Sequence, residues 1–171
     1  MATMTQAQIE EAAKKFMNGS TIKELKGISN NEMEAVYSLA FNYYRSGKFD
    51  EAEKLFDFLA LFDHLNAKFW MGVGAVRQVK KNFTGAIQAY AYASFLNLHN
   101  PKPQFHAAEC FLALGDKRNA ASSLEALDMY CPKDTELGRE YRAKAAELRK
   151  LVGEEAFTEL AKEDEKGEEK E

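Results

Sequence analysis

Three prolines occur in the 171 residues, Pro101, Pro103 and Pro132. Long helices can therefore run almost anywhere else without interruption. Two cysteines, Cys110 and Cys131, are too few and too far apart for a disulfide framework or a zinc motif. They read as reduced, buried thiols. No apolar run is longer than that from Phe58 to Phe62, which is bounded by Asp57 and Asp63. It falls far short of the roughly 20 residues a membrane span requires, so no membrane insertion is expected. Nothing between Met1 and Lys15 resembles a secretory leader, and a cytoplasmic protein is expected. No basic stripe is present, which argues against direct nucleic-acid binding.

What is present is apolar material for a core, 46 % of the chain, alongside 29 % charged residues. The formal charge of −4 is unevenly placed. Residues 154–171 hold nine acids and three bases, which leaves the first 153 residues at +2.

A 34-residue period organises the middle of the chain. In its first unit Leu39, Ala40 and Tyr43 lie on one helix, Gly47 makes the turn, and Phe49, Ala52 and Phe56 lie on the next. Adding 34 turns Ala40 into Gly74 and then Ala108, Ala52 into Ala86 and then Ala120, and Phe56 into Tyr90. Small residues thus recur where two helices must cross closely. Gly47 recurs as Gly115, Trp70 takes an early aromatic position in the second unit, and Pro132 closes the third. Lys81 stands where the second unit should have its turn glycine, Arg77 replaces an aromatic, and Leu124 replaces the second-helix aromatic of the third unit.

This pattern predicts an all-α tetratricopeptide-repeat solenoid of three helix-turn-helix units at 33–66, 67–100 and 101–134. First helices are expected near 31–46, 67–80 and 101–114, second helices near 49–64, 83–97 and 117–130. Asn30 or Asn31 is the expected N-cap of the first, and Pro101 and Pro103 suit a helix start. A capping helix is expected over 135–153, with Leu137, Tyr141, Ala145, Leu148 and Val152 on one side. Beyond it, 154–171 reads as an acidic tail without order. Residues 1–32 form a helical arm. Its Ile9, Ala13, Phe16 and Met17 make an apolar side that either packs on the first unit or pairs with a second copy. Ile22, Leu25 and Ile28 could pack likewise.

Catalytic constellations are missing. His64, His99 and His106 show no metal-ligand spacing. His106 and Cys110 are one helical turn apart, but a buried structural thiol is the favoured reading over a catalytic pair. No phosphate-binding loop or nucleophile elbow occurs. No enzyme activity, cofactor or metal is expected.

Stacked helix pairs curve, and first helices line the inside. The inner positions include Glu34, Tyr37, Phe41, Tyr44 and Arg45 in the first unit. Lys68, Met71, Ala75, Gln78 and Val79 follow in the second, and Lys102, Phe105, Glu109, Leu112 and Ala113 in the third. Tyr37, Phe41 and Tyr44 form an aromatic stripe at i, i+4, i+7. With Leu39, Ala40 and Tyr43 supplying the core side, the stripe reads as a peptide groove rather than core. Its ligand should be an extended or partly helical segment with apolar anchors. The groove residues expected to matter are Tyr37, Phe41, Tyr44, Arg45, Lys68, Met71, Ala75, Gln78, Phe105 and Glu109. A carboxylate clamp for chaperone tails is disfavoured, because Tyr37 and Phe41 stand where such a clamp places Lys and Asn.

Several stretches resemble the class II chaperones of bacterial type III secretion. They are Tyr37-Ser38-Leu39-Ala40-Phe41-Asn42 with Ser46-Gly47 and Ala52, Leu61-Phe62-Asp63-His64, Gly72-Val73-Gly74-Ala75 with Arg77-Gln78, and Phe105-His106-Ala107-Ala108-Glu109-Cys110. Gly19 to Leu25 with Gly27-Ile28 also looks like that family's leading segment. The resemblance spans about residues 5–150. It implies a bacterial cytosolic chaperone for two hydrophobic translocator proteins. A short Pro-x-Leu-x-x-Pro-like segment of the cargo would lie in the groove against Tyr37, Phe41 and Tyr44. It also implies a homodimer through the N-terminal region and, for some members, a coactivator role with an AraC-type transcription regulator. A regulatory adaptor and a general scaffold are the alternatives.

Overall fold

The computed structural model describes residues 5–168; side chains at 8, 9, 12, 13, 16 and 162–168 are not described. The described elements are helices α1 (Gln6–Met17), α2 (Ile22–Lys26), α3 (Asn30–Arg45), α4 (Phe49–Phe62), α5 (Ala67–Val79), α6 (Phe83–Leu96), α7 (Pro101–Ala113), α8 (Lys117–Tyr130), α9 (Glu136–Val152) and α10 (Glu154–Glu168). The chain forms two compact units, one ending at Val73 and the other beginning at Gly74.

Local chemistry sets the helix ends. α3 is capped by Ser29, not by either asparagine that follows it. The Ser29 hydroxyl accepts from Glu32 N, and the Glu32 carboxylate accepts from Ser29 N at 2.8 Å. This reciprocal box satisfies two donors that an asparagine one residue later would leave open. Thr21 and Glu24 repeat the device on α2. Asn66 and Asn100, 34 residues apart, each take the N–H two residues on, at the starts of α5 and α7.

The three helix turns share one hydrogen-bond pattern. Lys48, Asn82 and Asp116 each donate to the carbonyl five residues back, at 2.9 Å. That pattern requires a left-handed residue, filled by Gly47 at φ 74° and Gly115 at φ 78°. Lys81 takes the same place at φ 61°, where a Cβ is strained.

In the first unit the core comprises Met33, Ala40, Ala52, Phe56, Leu59, Ala60, Phe69 and Val73. Gly72 is there because its backbone touches Phe56; a Cβ would lie 2.3 Å from the ring. Leu39, expected in the core, is 45 % exposed. Its counterpart Ala107 is buried in the second unit, where α6 packs against α7. Among the described residues no preceding helix pair covers Leu39 in that way. α2 is tied to the end of α4 by the Lys23–Asp63 ion pair at 2.8 Å, with both side chains largely buried.

In the second unit the crossings at Gly74, Ala86, Ala108 and Ala120 are all buried, as the period requires. A Cβ on Gly74 would meet the Tyr90 ring at 2.4 Å. α9 lies against α7 and α8. Its Tyr141 and Ala145 are buried, along with Leu124, Leu127 and Cys131. The acidic segment expected to lack order is helical from Glu154 to Glu168. Ala156 is buried and Phe157 and Leu160 pack on the same core, which the charge count had hidden. Glu169–Glu171 lie outside the described residues.

Two arginines fasten these helices. Arg142 reaches Asp128 Oδ1 at 2.8 Å and the carbonyls of Asp128 and Cys131. Arg149 reaches Asp128 Oδ2 at 2.7 Å and the Leu124 carbonyl, and its guanidinium lies 4.6 Å from the Phe157 ring centroid.

Candidate peptide-binding surface

In the first unit, α3 carries the aromatic stripe on successive turns. Phe41 is 43 % exposed, while Tyr37 and Tyr44 are half-buried. Tyr37 and Phe41 are nearly parallel, with centroids 6.4 Å apart and planes at 8°. The reading of the whole stripe as groove rather than core does not hold for Tyr37. Its ring meets Phe56 edge-on at 5.8 Å and Phe69 at 6.0 Å. With Leu39 turned outward and Ala40 small, Tyr37 supplies bulk that the core of α3 otherwise lacks. Tyr44 is likewise edge-on to Phe49, at 5.8 Å. Phe41 is the stripe's accessible member.

Lys68, on α5, is one of the expected groove residues, and its contacts were not foreseen. Its ammonium lies 3.8 Å from the Tyr37 centroid and 2.6 Å from Glu34 Oε2. Glu34 and Lys68 are themselves 34 residues apart, so the repeat period held the signal. Arg45 is exposed and Met71 half-buried.

Within the second unit Ala75, Gln78 and Glu109 are partly exposed. Phe105 is not a surface residue: it is 8 % exposed and edge-on to Tyr141 at 5.4 Å. The capping helix covers it. Glu109 Oε2 accepts from Gln78 Nε2 at 3.1 Å and faces His106 Nδ1 at 2.8 Å. A carboxylate cannot donate, so Nδ1 carries the proton. Gln78 in turn accepts from the Tyr90 hydroxyl at 2.7 Å. Partial burial works against the Glu109 charge. The hydrogen bonds from His106 and Gln78, with the charges of His106 and Lys144, outweigh it and hold the carboxyl below its ordinary range.

The His106–Cys110 pairing does not form a nucleophile. The imidazole Nδ1 is engaged by Glu109, and Cys110 is buried, which with the Glu109 charge pushes its thiol up to about 12. Among the described residues no group of His, Cys, Asp and Glu could hold a metal ion, and no helix is long and apolar enough to cross a membrane. Of the expected arm contact Ile9, Ala13, Phe16 and Met17, only Met17 has a described side chain; it is 84 % exposed.

Paired helices on a 34-residue period with small residues at each crossing define a tetratricopeptide-repeat protein. The model of the tetratricopeptide repeat family matches residues 33–66 and 67–99. The chain is 42 % identical over 106 residues to the low calcium response locus protein H of Yersinia pestis, covering 62 % of this chain and 63 % of the relative, somewhat under two thirds of its length. A T3SS complex from Aeromonas hydrophila contains a chain that is 36 % identical with TM-score 0.79, covering 84 % of this chain and 95 % of that one. PcrH of Pseudomonas aeruginosa, solved with the chaperone binding region of PopD, is 35 % identical with TM-score 0.69, covering 74 % and 94 %. This chain belongs to the family of class II type III secretion translocator chaperones.

Proposed function

We propose that this chain is a chaperone of type III secretion that holds a short extended segment of a hydrophobic translocator protein. The first-helix face of α3 takes the segment's apolar anchors. Holding such a segment keeps membrane-active cargo from associating before export, and a mostly apolar contact of modest size permits release. The observation that carries this reading is Phe41: a large aromatic left open one turn along α3 from Tyr37, whose ring packs on Phe56 and Phe69. Exposed aromatics on a fixed platform are what peptide anchors use. Ala75, Gln78 and Glu109 are proposed as contacts on the second unit, and Arg45, Lys68 and Met71 as contacts beside the stripe.

The test is co-expression of the chain with each translocator of its own secretion system. Phe41→Ala should abolish co-purification and leave the translocator insoluble, with the far-ultraviolet circular dichroism unchanged. Undiminished capture would sink the assignment.

The exposure of Met17 also supports α1 as a contact between two copies. Met17→Glu should then lower the mass found by sedimentation equilibrium, and an unchanged mass refutes it.

A further inference from the structure

Glu109 presents an unused acceptor on the second unit's first-helix face. Both of its hydrogen bonds fall on Oε2, from Gln78 and His106. None of the hydrogen bonds made by the described residues uses Oε1. Gln78 is neutral, and its own carbonyl is held by Tyr90. Lys144 on α9 favours the Glu109 charge from a distance, but its ammonium makes its ion pair with Glu140 at 2.5 Å and lies over the Tyr141 ring. One turn away on α7, Leu112 is apolar and partly exposed. Glu109 is therefore a carboxylate held through one oxygen and partly exposed, so that water can reach it.

A peptide laid over this face strips that water away. An ionised carboxylate deprived of water and left unmatched is strongly penalised. An apolar anchor cannot match it, and a backbone N–H matches the hydrogen bond but not the charge. Resting on the cargo reading above, we infer that Glu109 sets specificity by requiring a lysine or arginine in the translocator segment, whose side chain pairs with Oε1. On the second unit Glu109 sets the position of the cation, because a cation placed one residue out of step leaves the carboxylate covered and unmatched.

The experiment uses overlapping synthetic peptides tiled across the translocators of the same secretion system. The tightest binder is resynthesised with Lys, Gln or Glu at each position and titrated against the full chain. Wild type should show one position where Lys binds at least tenfold tighter than Glu. Glu109→Gln should reduce that preference below about threefold, and Glu109→Lys should reverse it. Both variants keep a hydrogen-bonding side chain at 109, and unchanged circular dichroism confirms the fold. Identical charge profiles in wild type and both variants overturn the inference. Peptide binding that survives Phe41→Ala overturns the cargo surface instead, so the two failures are distinguishable.

Discussion

The Lys68 ammonium lies on the face of Tyr37, 3.8 Å from its centroid, while pairing with Glu34. The ion pair is exposed and contributes little on its own. The ring contact contributes about 0.5–1 kcal/mol at such a site. Lys68→Gln should therefore lower stability by no more than about 1 kcal/mol in urea denaturation. Tyr37→Ala is a different case, because the ring also rests on Phe56 and Phe69. It should cost about 2–3 kcal/mol, less than a fully buried aromatic would. Phe41→Ala, at an exposed position, should cost well under that in the same measurement.

Lys81 offers a gain. Its φ of 61° places a side chain where Gly47 and Gly115 stand in the sister turns. Lys81→Gly should stabilise the protein by roughly 0.5–1 kcal/mol; relief of left-handed strain outweighs glycine's larger entropy when unfolded. A higher urea midpoint with an unchanged slope is the expected result.

Acid should weaken the second unit through identified groups. Glu109 and Asp116 both have folded pKa values below their ordinary ones. For Asp116 the leading cause is the hydrogen bond from the Asn119 side chain, followed by that from its backbone N–H at the start of α8. Below its ordinary pKa the unfolded chain binds a proton that the folded chain still refuses. The stability these groups contribute is whole above the ordinary carboxylate range and is lost as pH falls through the depressed values. Denaturation followed between neutral pH and pH 3 should show a shallower acid decline in Asp116→Asn and in Glu109→Gln than in wild type.

Thiol chemistry should report unfolding. Burial, with the Glu109 charge, pushes Cys110 up to about 12, and burial raises Cys131 as well. The thiolate is the reactive form. At pH 8 a chromogenic disulfide reagent should leave both cysteines untouched in the native protein and titrate two on adding denaturant. Prompt reaction of Cys110 without denaturant would contradict its burial.

The repeat was readable because its constraint is steric and periodic. Ala40, Gly74 and Ala108 sit where two backbones approach, and no larger residue fits at Gly74 against Tyr90. The cap of α3 was readable in principle, since Ser29-Asn30-Asn31-Glu32 spells a capping box. The stripe was half readable. Spacing puts Tyr37, Phe41 and Tyr44 on one side of α3, but only tertiary packing reveals that Tyr37 rests on Phe56 and Phe69. Phe105 was misplaced for a related reason: the helix that covers it lies outside the period, so no register could be carried to Tyr141. In α10 the acids outnumber four apolar residues, and a charge count cannot tell a solvated tail from an amphipathic helix.

Arg149 joins three helices at once, through Asp128 and the Leu124 carbonyl on α8, its own place on α9, and Phe157 on α10. Its guanidinium cannot leave one neighbour without loosening the others. The C-terminal end should therefore open as one cooperative block rather than fray from its last residue inwards. Amide protons in the first turns of α10 should exchange with solvent at rates that follow those of α9, and replacing this single arginine should uncouple the two.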